Sequence, residues 1–294
     1  MAAASRLLEW VKARDGYPLP LRWMLRISLL SWKTARRILP IHRITTEVVV
    51  DGHRMRVRSF SYDDLLTVSP DYEPCLAGLL PPPGGIAVDA GAFIGRYTLA
   101  YARAVGPTGR VVAVEPLPAN YRLLTGNVAL NRYSNVTCVP YALGRDAGEV
   151  RLTYDAETST ASAFRRLSRS VVVPQTPLDD LLDQLGIRSI DLLKIDVEGA
   201  ELDVLEGSRR VLAASPAAHI IVEIHSPAEA PRCPVRQWLT ARGYTVALLV
   251  DGKRRFYSAH GGEPGGDLFH ESCHRTEGAR LPAQSSRIPP SSIR

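Results

Sequence analysis

The sequence predicts an α/β fold, a mostly parallel sheet with helices on both faces that ends in an antiparallel hairpin. Three observations carry this reading. From Ile86 onward, short β-rich runs alternate with stretches of helical periodicity. The first run passes into a glycine-bearing turn, Val88-Asp-Ala-Gly-Ala-Phe-Ile-Gly95, that opens a helix. The last two runs, Tyr244–Val250 and Phe256-Tyr257, flank Asp251-Gly252, a strong hairpin signal.

The elements follow in order. Ile86-Ala-Val-Asp89 reads as a buried strand, followed by a helix with Tyr97, Tyr101 and Val105 on one face. Arg110–Glu115 is the second strand, and its helix carries Leu117, Tyr121, Leu124 and Val128. Val136–Tyr141 is the third. Glu149–Tyr154 and Ser170–Val173 read as an inserted hairpin. Thr176-Pro-Leu-Asp179 supplies an N-cap, a proline at N1 and an acid at N3 for a helix that ends at Gly186. Ile190–Asp196 is a strand, and the next helix turns Val204, Leu205, Val211 and Leu212 inward. Ile220–Ile224 is another strand, and a helix through Trp238 and Leu239 stops at Gly243.

Four regions are expected. Residues 1–45 read as a basic, amphipathic helical segment, in which Trp10, Trp23 and Trp32 lie among arginines and lysines. We expect it to act as a lid or a homodimer contact, with any membrane contact weak and at the surface. Residues 46–85 read as a β-hairpin around Asp51-Gly52 and a stiff Pro81–Gly85 connector. The main domain covers 86–260, and the Gly-, Pro- and Ser-rich tail, 261–294, is expected to order poorly. The formal charge of +6 permits contact with nucleic acid but does not demand it. The four cysteines form no C-x-x-C pair, which speaks against a zinc site or a disulfide framework and fits a reducing, cytoplasmic setting. The apolar stretch Leu19–Leu30 is too short and too charged to span a bilayer, and no secretory leader is evident.

Three motifs carry chemistry. In the first, Gly91 lets the backbone approach a ligand, Ala92 follows it in the same turn, and Gly95 allows a close strand–helix approach. Asp89 would repel a pyrophosphate, but it suits a cationic cofactor without phosphate, such as S-adenosyl-L-methionine (SAM). The second motif is Glu115, placed to accept hydrogen bonds from two ribose hydroxyls, a logic that NAD-binding folds share. The third is Asp191-Leu-Leu-Lys-Ile-Asp-Val-Glu-Gly-Ala-Glu201. Lys194 and Asp196 share a strand face there, while Asp196 and Glu198 fall at the ligand crevice. Glu223 and His225 share parity at the end of the fifth strand, and a histidine can serve as a base.

These runs, with Val114-Glu-Pro-Leu-Pro-Ala-Asn120, Asn127-Val-Ala-Leu-Asn131, Ala142-Leu-Gly144 and Leu193–Glu201, resemble the FkbM-type methyltransferase family over about 170 residues. The Lys-Ile-Asp-Val-Glu-Gly-Ala-Glu run is the most specific piece. The resemblance implies a Rossmann-like class I methyltransferase core, a mostly parallel seven-stranded sheet with a reversed last strand. It also implies SAM-dependent O-methylation of a hydroxyl on a sugar, glycan or secondary metabolite. Asp89, Gly91 and Glu115 would bind SAM, with Ala142 near the adenine. Phe93 departs from the family, which often has Asn there. Asp196, Glu198, Glu223 and His225, with Lys194, are the candidates around the acceptor. Asp196 and Glu223 could hold a divalent ion, as in some related O-methyltransferases, but a metal-free site is expected. The competing readings are an RNA or protein methyltransferase, a non-catalytic SAM-binding subunit and an NAD-dependent oxidoreductase.

Overall fold

The computed structural model of the chain describes residues 44–59, 61–154, 161–162, 169–225, 232–251 and 254–261. The basic N-terminal segment and the tail fall outside them, apart from Ile44, Thr45 and Gly261. No helix among the described residues is long and apolar enough to cross a membrane.

The chain opens with β1 (Thr45–Val50) and β2 (His53–Arg58), paired antiparallel across Asp51 and Gly52. Both turn residues have positive φ, 50° and 80°, as a two-residue hairpin with the strands' own twist requires. Helix α1 (Tyr62–Thr67) follows, capped by Ser61. Its fully buried Asp64 takes a two-pronged ion pair from Arg58, which ties α1 to β2.

The core then runs β3 (Ile86–Ala90), α2 (Arg96–Val105), β4 (Arg110–Val114), α3 (Pro118–Leu130) and β5 (Val136–Val139). A small second sheet interrupts it, with β6 (Ala142–Leu143), β7 (Gly148–Tyr154), β8 (Ala161–Ser162) and β9 (Arg169–Thr176) in the order β6-β9-β7-β8. The antiparallel pairing of β7 with β9 is the expected inserted hairpin. The core resumes with α4 (Leu178–Gln184), β10 (Leu192–Ile195), α5 (Glu201–Glu206), α6 (Arg209–Ala213), β11 (His219–Glu223), α7 (Pro234–Thr240), β12 (Tyr244–Asp251) and β13 (Arg254–Gly261). The large sheet has the order β12-β13-β11-β10-β3-β4-β5. Every neighbour is parallel except β13, which runs antiparallel to both β11 and β12. This is the mostly parallel seven-stranded sheet with one reversed strand that the alternation predicts.

Its central strands are apolar on both faces because both faces are covered. On one face Val88, Val112, Leu193 and Ile195 meet Leu178 and Leu182 of α4, Val204 and Leu205 of α5, and Trp238 and Leu239 of α7. On the other, Ala87, Val111, Leu192 and Ile221 meet Tyr101, Ala102 and Val105 of α2. One detail differs from expectation. Thr176 is the last residue of β9, Pro177 holds the N-cap position of α4, and no side chain caps that helix. The acid in its first turn works elsewhere: both Asp179 oxygens accept backbone N–H groups at the start of α6, from Arg210 and Val211 at 2.8 Å.

Helix α3 holds the hairpin against the core by copying a strand edge. The Asn127 amide accepts from Arg56 N at 2.7 Å and donates to Arg56 O and to Ile94 O. One turn on, Asn131 accepts from Arg54 N and donates to Arg54 O. Alternate residues of β2 thus meet residues spaced by four on the helix, so one helix face satisfies the strand's outer edge.

Two outcomes are expected from denaturant unfolding. Asn127→Ala leaves three backbone groups unpaired in a buried setting and should cost about 2–4 kcal/mol, whereas Asn131→Ala, at a half-buried position, should cost about 1 kcal/mol. Gly91→Ala should be worse than either. Gly91 has φ +84°, and a Cβ there would lie 1.9 Å from the Asp196 carbonyl oxygen, so the turns after β3 and β10 could not pack as they do. A Gly91→Ala protein as stable as wild type would contradict this packing.

Candidate active site

Parallel strands end in a crevice at the carboxyl side of the sheet, and here the crevice is a cleft. Its open space, mouth and adjoining solvent included, is about 1060 Å³. The turns after β3 (Gly91, Phe93) and β4 (Glu115, Pro116) line one half. The loop after β10 (Asp196, Val197, Glu198), the end of β11 (Glu223) and the adjoining His225 line the other. The second sheet adds an apolar wall of Ala142, Leu143, Val150 and Leu152, with Tyr141 beside it.

Of the residues singled out from sequence, Gly91, Glu115, Ala142, Asp196, Glu198, Glu223 and His225 line this cleft. Asp89, Ala92, Gly95 and Lys194 do not. Asp89 lies under the floor, 1% exposed, with Thr98 Oγ1 donating to its Oδ2 at 2.6 Å, so it does not reach the space where a cofactor's ammonium would sit. Ala92 packs into the core beneath the turn. Gly95 has φ +97°, and a Cβ there would come within 2.8 Å of Leu124, so it serves a helix–helix approach between α2 and α3 rather than the expected strand–helix one. Gly91 borders the cleft, but the room it provides is filled by the Asp196 carbonyl. Lys194 is buried below the cleft, its Nζ 3.0 Å from Asp196 Oδ2 and 4.8 Å from the centre of the Tyr97 ring.

Each carboxylate has its own setting. Glu115 is buried, and burial pushes its pKa up to about 7 against three hydrogen bonds that pull it down. Those bonds come from Phe93 N and Leu117 N, both at 2.9 Å, and from the Asn120 amide. Asp196 is held below the usual carboxylate range: burial opposes this, but the Lys194 ammonium and then His225 outweigh it. Glu223 goes the other way, to about 9, through burial and the neighbouring Asp196 and Glu73 charges. Asp63, from α1, is pushed up to about 7 by burial and then Glu198.

His225 stands among four acids. Its Nδ1 is 2.7 Å from Glu201 Oε1. Its Nε2 faces Glu223 Oε1 at 3.7 Å and Asp196 Oδ1 and Glu198 Oε2 at 3.8 Å. Burial lowers its pKa, but the Glu201 bond and the surrounding carboxylates reverse this and lift it to about 9. Asp196, Glu223 and His225 can present one ligand atom each within 4.8 Å of one another.

Two of the lining loops hold a non-glycine residue in the left-handed region, Phe93 at φ 52° and Glu198 at φ 54°. This explains the departure noted at Phe93: Asn tolerates that backbone best, and Phe must be held there by its surroundings. Those include the Arg58 guanidinium, 5.5 Å from the ring centre.

Several lining residues have no sequence signal. Asp63 and Tyr72 come from the segment before β3, read only as hairpin and connector, and Arg254 from the terminal hairpin, read only for its turn. Arg254 pairs with the buried Glu73, lies 3.9 Å from Glu223 Oε1 and stacks over Tyr72 at 4.8 Å. Acid beside a turn is common, and only the folded sheet brings these groups to one mouth.

Comparison with known proteins places a family model over this part of the chain. The model of the FkbM methyltransferase domain matches residues 89–246, from the floor of the cleft to the edge of the sheet. Methyltransferase 1 of Beauveria bassiana is 32% identical over 148 residues, covering 43% of this chain and 59% of the relative. The methyltransferase sdnD of Sordaria araneosa is 33% identical over 159 residues, covering 43% of this chain and 61% of its own. The 31-O-demethyl-FK506 methyltransferase of Streptomyces tacrolimicus is 27% identical over 207 residues, covering 58% of this chain and 76% of its own. The chain thus spans about three-fifths of the length of the first two. With a family model covering more than half of its length, the chain belongs to the FkbM methyltransferase family.

Proposed function

We propose that the protein is a SAM-dependent O-methyltransferase acting on a hydroxyl of a sugar, glycan or secondary metabolite. The observation that carries the cofactor reading is the acid-rich lining of the cleft. Asp63, Glu115, Asp196, Glu198 and Glu223 line it against Arg254 and His225. Asp196 is held ionised by Lys194, while burial raises Glu223, Glu115 and Asp63; lined by acids rather than by a cradle of backbone N–H groups, the cleft suits a cofactor without phosphate. This supports SAM over NAD. Among the relatives, the Streptomyces tacrolimicus enzyme carries an O-demethyl acceptor in its name, which supports methyl transfer to oxygen.

The residues present fit the cofactor. Glu115 accepts from backbone donors on both oxygens and retains lone pairs for ribose hydroxyls. The apolar wall of Ala142, Leu143, Val150 and Leu152 suits the flat face of an adenine and keeps water from it. Bound SAM supplies a methyl group on a sulfonium whose leaving group is a neutral thioether. The protein must align the acceptor oxygen with that methyl and take its proton. Asp196, Glu198, Glu223 and His225 supply polar groups to the cleft, and Asp196, held ionised by Lys194, is the proton acceptor there.

Calorimetry tests the cofactor half. SAM and S-adenosylhomocysteine should bind and NAD should not. Glu115→Ala should weaken SAM by roughly 1–3 kcal/mol, the usual loss for hydrogen bonds to a charged group. Equal SAM affinity in a folded Glu115→Ala protein would contradict the reading. Turnover tests the other half, using labelled SAM and a panel of hydroxyl and amine acceptors. Asp196→Asn should lower methyl transfer to a hydroxyl about 10²–10⁴-fold and SAM affinity far less. Transfer to amines alone would contradict O-methylation.

A further inference from the structure

We infer that Asp196, Glu223 and His225 form a divalent-cation site at the acceptor end of the cleft, with Glu201 as the residue that orients the histidine. The inference rests on the reading of this cleft as a SAM and acceptor site, and it departs from the metal-free site expected from sequence.

The geometry around His225 Nε2 is the first reason. Three carboxylate oxygens surround this atom at 3.7–3.8 Å, and none is within hydrogen-bond distance. An imidazolium N–H with free choice draws one carboxylate to ~2.8 Å, as charge-assisted pairs do. Here that contact is made at the other nitrogen, Nδ1, by Glu201 Oε1 at 2.7 Å. With Nδ1 bonded to Glu201, Nε2 points into a gap ringed by oxygens, where a cation would take the place of its proton. This is the carboxylate–histidine–metal arrangement, in which an outer carboxylate fixes the tautomer and the aim of a ligating histidine. Spacings of this size fit around one ion with bonds of ~2.0–2.2 Å.

Glu223 is the second reason. It is 8% exposed at the end of β11, and its Oε1 lies 3.7 Å from His225 Nε2 and 3.9 Å from Arg254 Nε. Both are beyond hydrogen-bond reach, so Oε1 of this largely buried side chain faces the gap beside His225 with room for a further partner. Asp196 completes the set. Lys194 occupies its Oδ2 at 3.0 Å and leaves Oδ1 facing the same point. One imidazole with two carboxylates, offered from two adjacent strand ends, suits Mn²⁺, Mg²⁺ or Zn²⁺. An ion held there would lower the pKa of a bound acceptor hydroxyl.

The test uses Mn²⁺ alone as probe, on the full chain, by electron paramagnetic resonance and calorimetry. We expect one Mn²⁺ per chain, displaced by Mg²⁺ or Zn²⁺. Pulsed resonance should show nitrogen coupling from one imidazole. Asp196→Asn, Glu223→Gln and His225→Ala should each weaken Mn²⁺ at least tenfold, and Glu201→Gln about 10–100-fold. SAM affinity, measured on every variant, reports whether each is folded. Wild-type protein that binds SAM but takes up no Mn²⁺ at millimolar concentration overturns the ion site and leaves the SAM reading standing. Wild type that binds Mn²⁺ but not SAM does the reverse. Bound Mn²⁺ without nitrogen coupling, or unchanged Mn²⁺ affinity in the ligand variants, overturns the assignment to these residues. The spectrum needs no variant, so a substitution that fails to fold does not shield the inference.

Discussion

The cleft depends on one buried cation. Lys194 sits on β10, the central strand of the sheet between β3 and β11, with its ammonium below the cleft floor and against Asp196. Asp89 on β3 is the direct register partner of Lys194, and Ile221 on β11 is its partner on the other side. The charges that raise its pKa against burial are Asp196, Asp89, Glu73 and Glu223, from four different parts of the chain. Without that ammonium, several carboxylates would crowd a poorly solvated floor with nothing to balance them. With it, Asp196 stays ionised while Asp89, under the floor, has its pKa raised by burial. The interior thus keeps its acids in register and leaves the outer ones, Glu198, Glu223 and Asp63, to face the cleft.

This arrangement also separates the chain from a dinucleotide-binding relative of the same topology. Such a fold uses the first turn to cradle a pyrophosphate on backbone N–H groups. Here Gly91 N and Ala92 N both donate to Val114 O, so the turn is closed on the neighbouring strand. Phe93 N is spent on Glu115, which joins that turn to the end of β4. The turn is built to hold a carboxylate, not a phosphate.

Much of this was legible in the sequence, for identifiable reasons. The alternation of strands and helices and the two hairpins followed from apolar runs and from two Asp-Gly turns, because periodicity and turn chemistry are local. The Lys194–Asp196 pair followed from a period of two, and the shared placement of Glu223 and His225 from the same rule. What escaped was non-local. Asp89 looked like a ligand because it ends a strand, but its side chain points down to Thr98 and Lys194, and spacing along the chain does not reveal that. Gly91 and Gly95 were right as positions that exclude a side chain and wrong as to what fills the space. Asn127 and Asn131 were visible only as part of a pattern, and their work on the backbone of β2 appears only when the helix meets the hairpin. Arg254, Tyr72 and Asp63 reach the cleft from both ends of the described chain, so no local signal could have marked them.

If a buried ammonium organises the cleft, its removal must be felt in the fold before it is felt in catalysis. The most direct measurement is the denaturant unfolding of Lys194→Met, which keeps the side chain's length and loses its charge. Breaking a buried pair on one side typically costs about 3–5 kcal/mol, and that loss is what the account predicts, with unfolding still cooperative. A Lys194→Met protein within about 1 kcal/mol of wild type, on the same ~3–5 kcal/mol scale, would show that the carboxylates of the cleft do not depend on this cation.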